Sequence, residues 1–103
     1  MQAKLIKKSF LFREWEVSDG QRLFRLAYDG MGIGFESILK DGEPLVKVES
    51  FYWFAPRFEF EIDGVPFVVT VRVWPWLQIR ALRISVSDQV IYSEGTMKVA
   101  GYP

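Results

Sequence analysis

The sequence contains no cysteine and no histidine. Without cysteine the chain forms no disulfide, no thiolate metal site and no thiol redox couple, a composition compatible with a reducing compartment. Without histidine it lacks the commonest general base and the imidazole that many metal sites use. Nucleophilic triads and zinc sites with nitrogen and sulfur ligands are therefore excluded, which leaves carboxylates as the groups for acid–base chemistry.

The chain also lacks an excess of either charge and any long apolar run. Its 103 residues include 13 basic and 13 acidic side chains, so no net field favours nucleic acid or an anionic membrane. Lys4, Lys7 and Lys8 resemble the start of a signal peptide, but the apolar stretch after them is far too short for one. No stretch approaches the roughly 20 apolar residues of a membrane helix. These features predict a soluble cytoplasmic protein with no nucleic-acid or membrane partner.

What the sequence does contain is apolar and aromatic residues. Hydrophobic residues make up 50% of it, with nine Phe, four Trp and four Tyr. A chain of this length buries roughly two-thirds of its extended surface on folding, which is enough for a core without covalent staples. We therefore predict a single domain over residues 1–103.

Four Asp-Gly dipeptides each lie beside apolar, β-favouring residues. Asp-Gly is preferred in two-residue hairpin turns, whose central residues need positive φ. No segment has the helical i, i+3, i+4 spacing of apolar residues, whereas alternation by twos recurs. The dipeptides are Asp19-Gly20, Asp29-Gly30, Asp41-Gly42 and Asp63-Gly64.

Short alternating segments between frequent turns are typical of a sandwich or a small barrel. We predict an all-β fold, an antiparallel β-sandwich of seven or eight short strands joined mainly by hairpins. The predicted strands are Phe10–Val17, Arg22–Tyr28, Phe35–Lys40, Leu45–Phe54, Arg57–Asp63, Phe67–Trp74, Leu77–Val86 and Gln89–Ser93, with a further short strand expected at Met97–Ala100.

A two-residue turn also fixes which residues face each other across a hairpin. Registers follow for three of the Asp-Gly turns: the Asp63-Gly64 hairpin has one apolar and one mixed face, and the other two hairpins each place opposite charges across from one another. The predicted opposite pairs are Phe60 with Phe67, Phe58 with Val69 and Glu61 with Pro66; Trp15 with Phe24 and Glu14 with Arg25; and Ile38 with Leu45, Glu36 with Lys47 and Phe35 with Val48.

Two segments depart from the regular hairpin pattern. The run Asp29–Gly34 has three glycines and too few side chains for a strand, so we interpret it as a flexible connection. Its glycine spacing differs from the phosphate-binding G-x-G-x-x-G and precedes a strand instead of a helix, so nucleotide binding is not expected. Between Ile79 and Leu82 the alternation breaks, which predicts a β-bulge near Ala81 and Leu82.

The only acid–base candidates are two carboxylates on one predicted strand. Glu59 and Glu61 share a face, about 6–7 Å apart at their side-chain origins. That spacing suits a carboxylate pair at a sugar, and it equally suits two solvated side chains near arginines, which we favour. No catalytic, cofactor-binding or metal-ligating residue is predicted, no cofactor is expected, and the protein is not expected to be an enzyme.

The candidate interaction surface is built on aromatic residues. Tyr52 and Trp53 precede one predicted strand, and Trp74-Pro75-Trp76 separates two others. Because Pro75 cannot donate to a sheet ladder, these tryptophans belong at the end or corner of a sheet. They either cap the core there, as large aromatics do in small sandwiches, or form an exposed platform for a partner or a sugar ring.

Arginines on the neighbouring predicted strands add positive charge beside these aromatics. Basic and aromatic side chains together are typical of single-stranded nucleic-acid sites. The adjoining strand Arg57–Asp63 is acidic, however, so cross-strand neutralisation is favoured over nucleic-acid binding. The candidate interaction surface therefore comprises Tyr52, Trp53, Trp74, Trp76, Arg72 and Arg80.

In the order and spacing of these pieces the chain resembles one domain of the Fas apoptotic inhibitory molecule family. The resembling pieces are Trp15–Gly20, Leu23–Tyr28 with its glycine loop, Phe35–Gly42, Phe58–Phe60 and Ser87–Gln89. The resemblance implies an antiparallel β-sandwich and a non-catalytic interaction role, in animals linked to protection from apoptosis and protein aggregation. The chain departs from the family in having one short domain and a Trp-Pro-Trp segment, and no functional residue carries over.

These observations lead to one functional expectation with an alternative. We expect a non-enzymatic module that binds an unknown protein partner or itself, forming a homodimer through the aromatic surface. The alternative is a carbohydrate-binding module or, less favoured, a hydrolase that uses Glu59 and Glu61. The residues alone identify neither ligand nor partner.

Overall fold

The structure is a computed structural model that describes residues 1–32, 35–49, 57–73 and 79–95. These residues form nine strands and no helix: β1 Gln2–Lys8, β2 Phe12–Ser18, β3 Leu23–Gly32, β4 Phe35–Lys40, β5 Glu43–Glu49, β6 Arg57–Ile62, β7 Val65–Val73, β8 Ile79–Val86 and β9 Gln89–Gly95. They make one five-stranded and one four-stranded antiparallel sheet, in the orders β1-β2-β3-β4-β5 and β6-β7-β8-β9. The two sheets pack together as a β-sandwich, which confirms the predicted fold class.

The core lies between the sheets and follows from alternation along each strand. On β2 the odd-numbered residues from Arg13 to Val17 are buried, and the even-numbered ones are only half-buried. The facing layer comes from β7 and β8, whose Phe67, Val69, Leu82 and Ile84 are fully buried. Ring contacts join the layers, because Phe24 of β3 packs edge-on against Phe67 at 6.2 Å.

Because consecutive strands run antiparallel, their connections alternate between two ends of the sandwich. One end, here called the turn end, contains the short connections Asp19–Arg22, Asp41-Gly42, Asp63-Gly64 and Ser87-Asp88. The opposite end, here called the loop end, contains Ser9–Leu11 and the strand ends at Gly32, Glu49, Arg57, Val73, Ile79 and Gly95. The two-residue turns at Asp41, Asp63 and Ser87 therefore all lie at the turn end.

The hairpin at Asp63-Gly64 has the predicted register. Asp63 and Gly64 have φ values of 52° and 79°, as a two-residue primed turn requires. Phe60 faces Phe67, and Glu61 faces Pro66. The rule that loop length sets register holds here without correction.

The register predicted for Asp19-Gly20 is wrong by two residues. Trp15 faces Leu26, and Glu16, instead of Glu14, faces Arg25. The cause is a four-residue connection: the Asp19 carboxylate accepts the backbone N–H groups of Gln21 and Arg22 at 2.9 and 2.7 Å. A shift of two residues leaves every side chain on its predicted face.

The hairpin at Asp41-Gly42 has the predicted two-residue turn but a different register beyond it. Leu45 has no partner in β4, so Ile38 faces Val46 and Glu36 faces Val48. The pairs of Ile38 with Leu45, Glu36 with Lys47 and Phe35 with Val48 are therefore wrong. Without this bulge Lys47 would point into the core in place of a valine, a costly exchange.

The first part of the predicted flexible connection, Asp29–Gly32, belongs to β3 instead, and residues 33 and 34 lie outside the described residues. The Gly30 N–H donates to the Leu11 carbonyl at 2.8 Å, and Gly32 pairs with Phe35. One extra residue in β3 kinks the strand between Asp29 and Gly32. Glycine here reflects close packing and a bulge instead of a break in the strand.

Three further comparisons with the sequence predictions concern β1, β8 and the segment after β9. β1 was not predicted, although Ala3 and Leu5 alternate with exposed neighbours in the expected way. The bulge predicted near Ala81 and Leu82 is confirmed, with Arg80 as the extra residue of β8. The expected strand at Met97–Ala100 lies outside the described residues.

Candidate binding surface at the loop end

An open cleft of roughly 480 Å³ lies at the loop end, between the two sheets. Backbone hydrogen bonds bring its walls together, because the Ile79 N–H at the start of β8 donates to the Phe10 carbonyl at 3.3 Å. The β1–β2 connection and the first residue of β8 are thereby held side by side. The lining residues are Lys8, Ser9, Phe10, Arg13, Ile79 and Glu94.

The floor of the cleft is an ion pair between the sheets, formed by a buried arginine and a half-buried glutamate. Arg13 of β2 points inward and is 3% exposed; its Nε lies 2.9 Å from Oε1 of Glu94 on β9, and its Nη2 lies 3.3 Å from Oε2. The same guanidinium donates to the carbonyls of Ser9 and, at 2.9 Å, of Phe12. A buried charge with this many partners is compensated, and it fixes the shape of the connection above it.

Two aromatic side chains extend this polar cluster into the core. The Tyr92 hydroxyl donates to Oε1 of Glu94 at 2.9 Å, and the Tyr92 ring packs edge-on against Trp15 at 5.4 Å. Burial, together with the hydrogen bond to Glu94, raises the pKa of Tyr92. The buried Trp15 Nε1–H makes no hydrogen bond of ordinary geometry within the described part of the chain.

Two large apolar side chains near the loop end remain exposed. Phe10 is 66% exposed and Met31 is 53% exposed. Their backbones are ordered by hydrogen bonds, since Asp29 Oδ1 accepts the Met31 N–H at 2.8 Å and the neighbouring Gly30 N–H binds the Leu11 carbonyl. Backbone hydrogen bonds therefore hold the segments that carry these two side chains in place.

A second buried polar pair lies beneath the loop end, between β3 and β4. The Tyr28 hydroxyl donates to Oε1 of Glu36 at 2.6 Å, and both side chains are fully buried. Burial first, and then the hydrogen bond and charge of Glu36, raise the pKa of Tyr28 far above its ordinary value. Gly30 makes room for the pair, because a Cβ there would lie 2.8 Å from the Tyr28 oxygen.

Four of the predicted interaction residues, Tyr52, Trp53, Trp74 and Trp76, lie outside the described residues. The other two are on the outer face of the second sheet. Arg80 is exposed at the bulge that follows Ile79, and Arg72 is half-buried opposite Ala81. The predicted surface is thus described only in its basic part, which adjoins the cleft at Ile79.

The predicted carboxylate pair lies away from the cleft. Glu59 and Glu61 are exposed on the outer face of β6, and Arg57 Nη2 lies 3.4 Å from Oε1 of Glu59. Neither carboxylate lines the loop-end cleft. Arg57, which lies on the same strand, is one of the arginines expected near this pair.

Sequence reasoning missed Arg13, Glu94 and Phe10. One signal was present: Arg13 shares the inward parity of Leu11, Trp15 and Val17. An arginine in such a row has to find a buried acid. Which acid it finds, on a strand 81 residues away, could not be read from local pattern.

Comparison with models of protein families, with curated proteins and with solved structures finds no match. The resemblance to the Fas apoptotic inhibitory molecule family therefore stays a prediction. Within the described ranges no helix is long and apolar enough to cross a membrane, and no three acidic side chains cluster as metal ligands would.

Proposed function

We propose that this domain is a non-enzymatic interaction module that binds a protein partner at the loop end. The observation that carries the proposal is the cleft with exposed Phe10 beside it. An exposed aromatic side chain in a concave site is a common anchor of interaction surfaces. The fixed backbone of the connection supports binding, because an ordered surface loses little entropy when a partner docks.

The opposite end of the sandwich has a different character. Its connections carry an ion-pair network in which Arg22 bridges Asp19, at 3.3 Å, and Asp63. These groups are solvated, and the carboxylates already have a cationic partner. An exposed apolar side chain at the turn end therefore serves as a control for an exposed apolar side chain at the loop end.

The aromatic surface expected from the sequence supports the same location. The segments that carry Tyr52, Trp53, Trp74 and Trp76 join strands whose described ends lie at the loop end. Aromatic residues are enriched at the centres of interaction surfaces. A cytoplasmic location belongs to the proposal as well and rests on composition alone.

A random peptide library displayed on phage tests the proposal. Peptides enriched on the wild-type domain are expected to lose at least about tenfold in affinity for Phe10→Ser. Leu23→Ser is the matched control, because Leu23 is 64% exposed at the turn end, and affinity should not change. Equal binding to wild type, Phe10→Ser and Leu23→Ser, measured by surface plasmon resonance, would contradict the proposal.

Carbohydrate binding is the second candidate, favoured by an exposed ring, Phe10, next to the polar groups of Lys8 and Ser9. Sugars stack on aromatic rings while polar neighbours bind their hydroxyls. A glycan array, followed by tryptophan fluorescence titration of any hit, tests this candidate. Saturable glycan binding lost in Phe10→Ser would replace the protein partner by a sugar.

A further inference from the structure

The four edge strands of the two sheets differ in one respect. β1, β5 and β9 each contain one residue with no partner in the adjacent strand, namely Ile6, Leu45 and Ile91. Such bulges bend an edge and oppose pairing with another chain. β6 pairs with β7 over all six of its residues with no bulge. Among the described strands it is therefore the one edge strand without a bulge.

The open side of β6 presents backbone groups at alternate residues. Ile62 and Val65 flank the two-residue turn, so they form the hydrogen-bonded pair that closes the hairpin. Hydrogen-bonded and non-hydrogen-bonded pairs alternate along an antiparallel ladder. The N–H and C=O groups of Glu61, Glu59 and Arg57 are consequently directed away from β7.

The partner of Glu61 agrees with this assignment. Pro66 has no N–H, and its carbonyl accepts the Ser87 N–H on the far side of β7 at 3.1 Å. Neither backbone group of Pro66 therefore engages Glu61. In the ranges that the structure describes, no strand pairs with the open side of β6, and β5 of the other sheet approaches β6 without pairing.

The side chains of β6 are self-complementary. Arg57, Glu59 and Glu61 are exposed on its outer face. When two β6 strands pair antiparallel about Glu59, Arg57 of each copy lies opposite Glu61 of the other. These positions are also the ones whose backbone groups point outward, so charge pairing and hydrogen bonding select the same register.

The inner face of the strand fits the same register. Phe60 is only half-buried, although its ring stacks on Phe67 at 5.6 Å. In the paired arrangement Phe60 of each copy lies opposite Phe58 of the other. The exposed part of the Phe60 ring is then covered, which adds apolar burial to the contact.

We propose that the chain forms a two-fold homodimer by antiparallel pairing of the β6 edges, joining two four-stranded sheets into one continuous sheet. The interface is small, so the dimer dissociates on dilution. The two loop ends point in opposite directions and stay free. The proposal is therefore independent of the binding surface described above.

Glu59 gives two variants with opposite expected effects. Glu59→Gln removes the like-charge pair at the centre and should tighten the dimer, whereas Glu59→Pro removes an outward N–H and should weaken it about tenfold or more. Proline is tolerated there because that N–H does not bond to β7. Sedimentation velocity from micromolar to millimolar concentration measures both, and Glu49→Gln on β5 is the charge-matched control, expected to behave as wild type.

A charge-swapped double variant and a measurement of amide hydrogen exchange complete the test. Arg57→Glu should weaken the dimer, and adding Glu61→Arg should restore it. In wild-type protein the Glu59 amide should exchange with solvent more slowly as concentration rises. A monomer at every concentration overturns the proposal, as does a dimer that withstands Glu59→Pro and is lost in Phe10→Ser, which would place self-association at the loop end.

Discussion

At the scale of single residues, the buried polar groups define what is unusual about this sandwich. Arg13 and Glu36 are the two fully buried charged residues in the described part of the chain. Each has a defined partner, Glu94 for Arg13 and the Tyr28 hydroxyl for Glu36. Because leaving either group unpaired would cost several kcal/mol, these contacts restrict the core to one arrangement.

Tyr28→Phe tests the pair with Glu36. Losing a hydrogen bond to a buried carboxyl should cost about 1–3 kcal/mol near neutral pH. The raised pKa of Tyr28 adds a pH dependence: its contribution is complete below the unfolded-state value of about 10 and is lost as pH rises above it. The difference between wild type and Tyr28→Phe should therefore shrink at pH above about 10.

Urea unfolding at neutral pH and at pH above about 10 measures that difference. Tyr92, whose pKa is also raised, is present in both proteins and cancels in the comparison. A difference that is the same at both pH values would contradict a hydroxyl buried against Glu36.

At the scale of elements, bulges decide which side chains reach the core. Leu45 in β5 brings Val46 and Val48 inward and keeps Lys47 outside, where its ammonium lies 4.8 Å from the centre of the Phe35 ring. Arg80 in β8 does the same for Ile79, which alternation alone would leave on the outer face. The bulges thus correct the sequence pattern where it conflicts with burial.

Deleting Leu45 tests this account of β5. The turn and the pairs of Ile38 with Val46 and Glu36 with Val48 can all persist without it. We expect the free energy of unfolding to change by no more than about 1 kcal/mol. Deleting Glu59 is the matched control, because β6 has no bulge and Phe58 would be turned out of the core at a cost of about 3 kcal/mol or more. Urea unfolding measures both deletions. Similar losses in the free energy of unfolding would contradict the role of Leu45 as a bulge residue.

At the scale of the whole molecule, two ion pairs join the sheets at opposite ends of the sandwich. At the loop end the buried Arg13 pairs with the half-buried Glu94, and at the turn end Arg22 and Asp63 are both exposed. Exposed pairs are worth about 0–1 kcal/mol, whereas breaking a buried pair leaves a charge without compensation. The ion pair at the loop end therefore contributes more to holding the two sheets together than the ion pair at the turn end.

Removing one partner from each ion pair measures how much each pair contributes to the free energy of unfolding. Glu94→Ala should destabilise the protein by about 3 kcal/mol, and Arg22→Ala by less than about 1 kcal/mol. Glu94→Gln keeps a hydrogen-bond acceptor for Arg13 and should fall between them. Thermal and urea unfolding of the three variants test the order, and equal effects of Glu94→Ala and Arg22→Ala would contradict it.

The predicted and observed structures agree where local chemistry suffices. The turn at Asp63-Gly64 fixed its register because both turn residues adopt positive φ and both strands are regular. At Asp19-Gly20 the same dipeptide failed, because the Asp19 side chain accepts two backbone N–H groups of a longer connection. A dipeptide predicts that a turn exists, but competing side-chain hydrogen bonds set its length.

The sequence by itself determined an all-β chain, the positions of the main turns and the face of most strands, because turn chemistry and alternation are local properties. Only the tertiary structure decided that Arg13 meets Glu94, that Glu36 is buried against Tyr28 and that β6 has an unbulged open edge. Those outcomes depend on which arrangement of two facing sheets buries the most apolar surface with every buried charge paired. No segment of the chain contains that information alone.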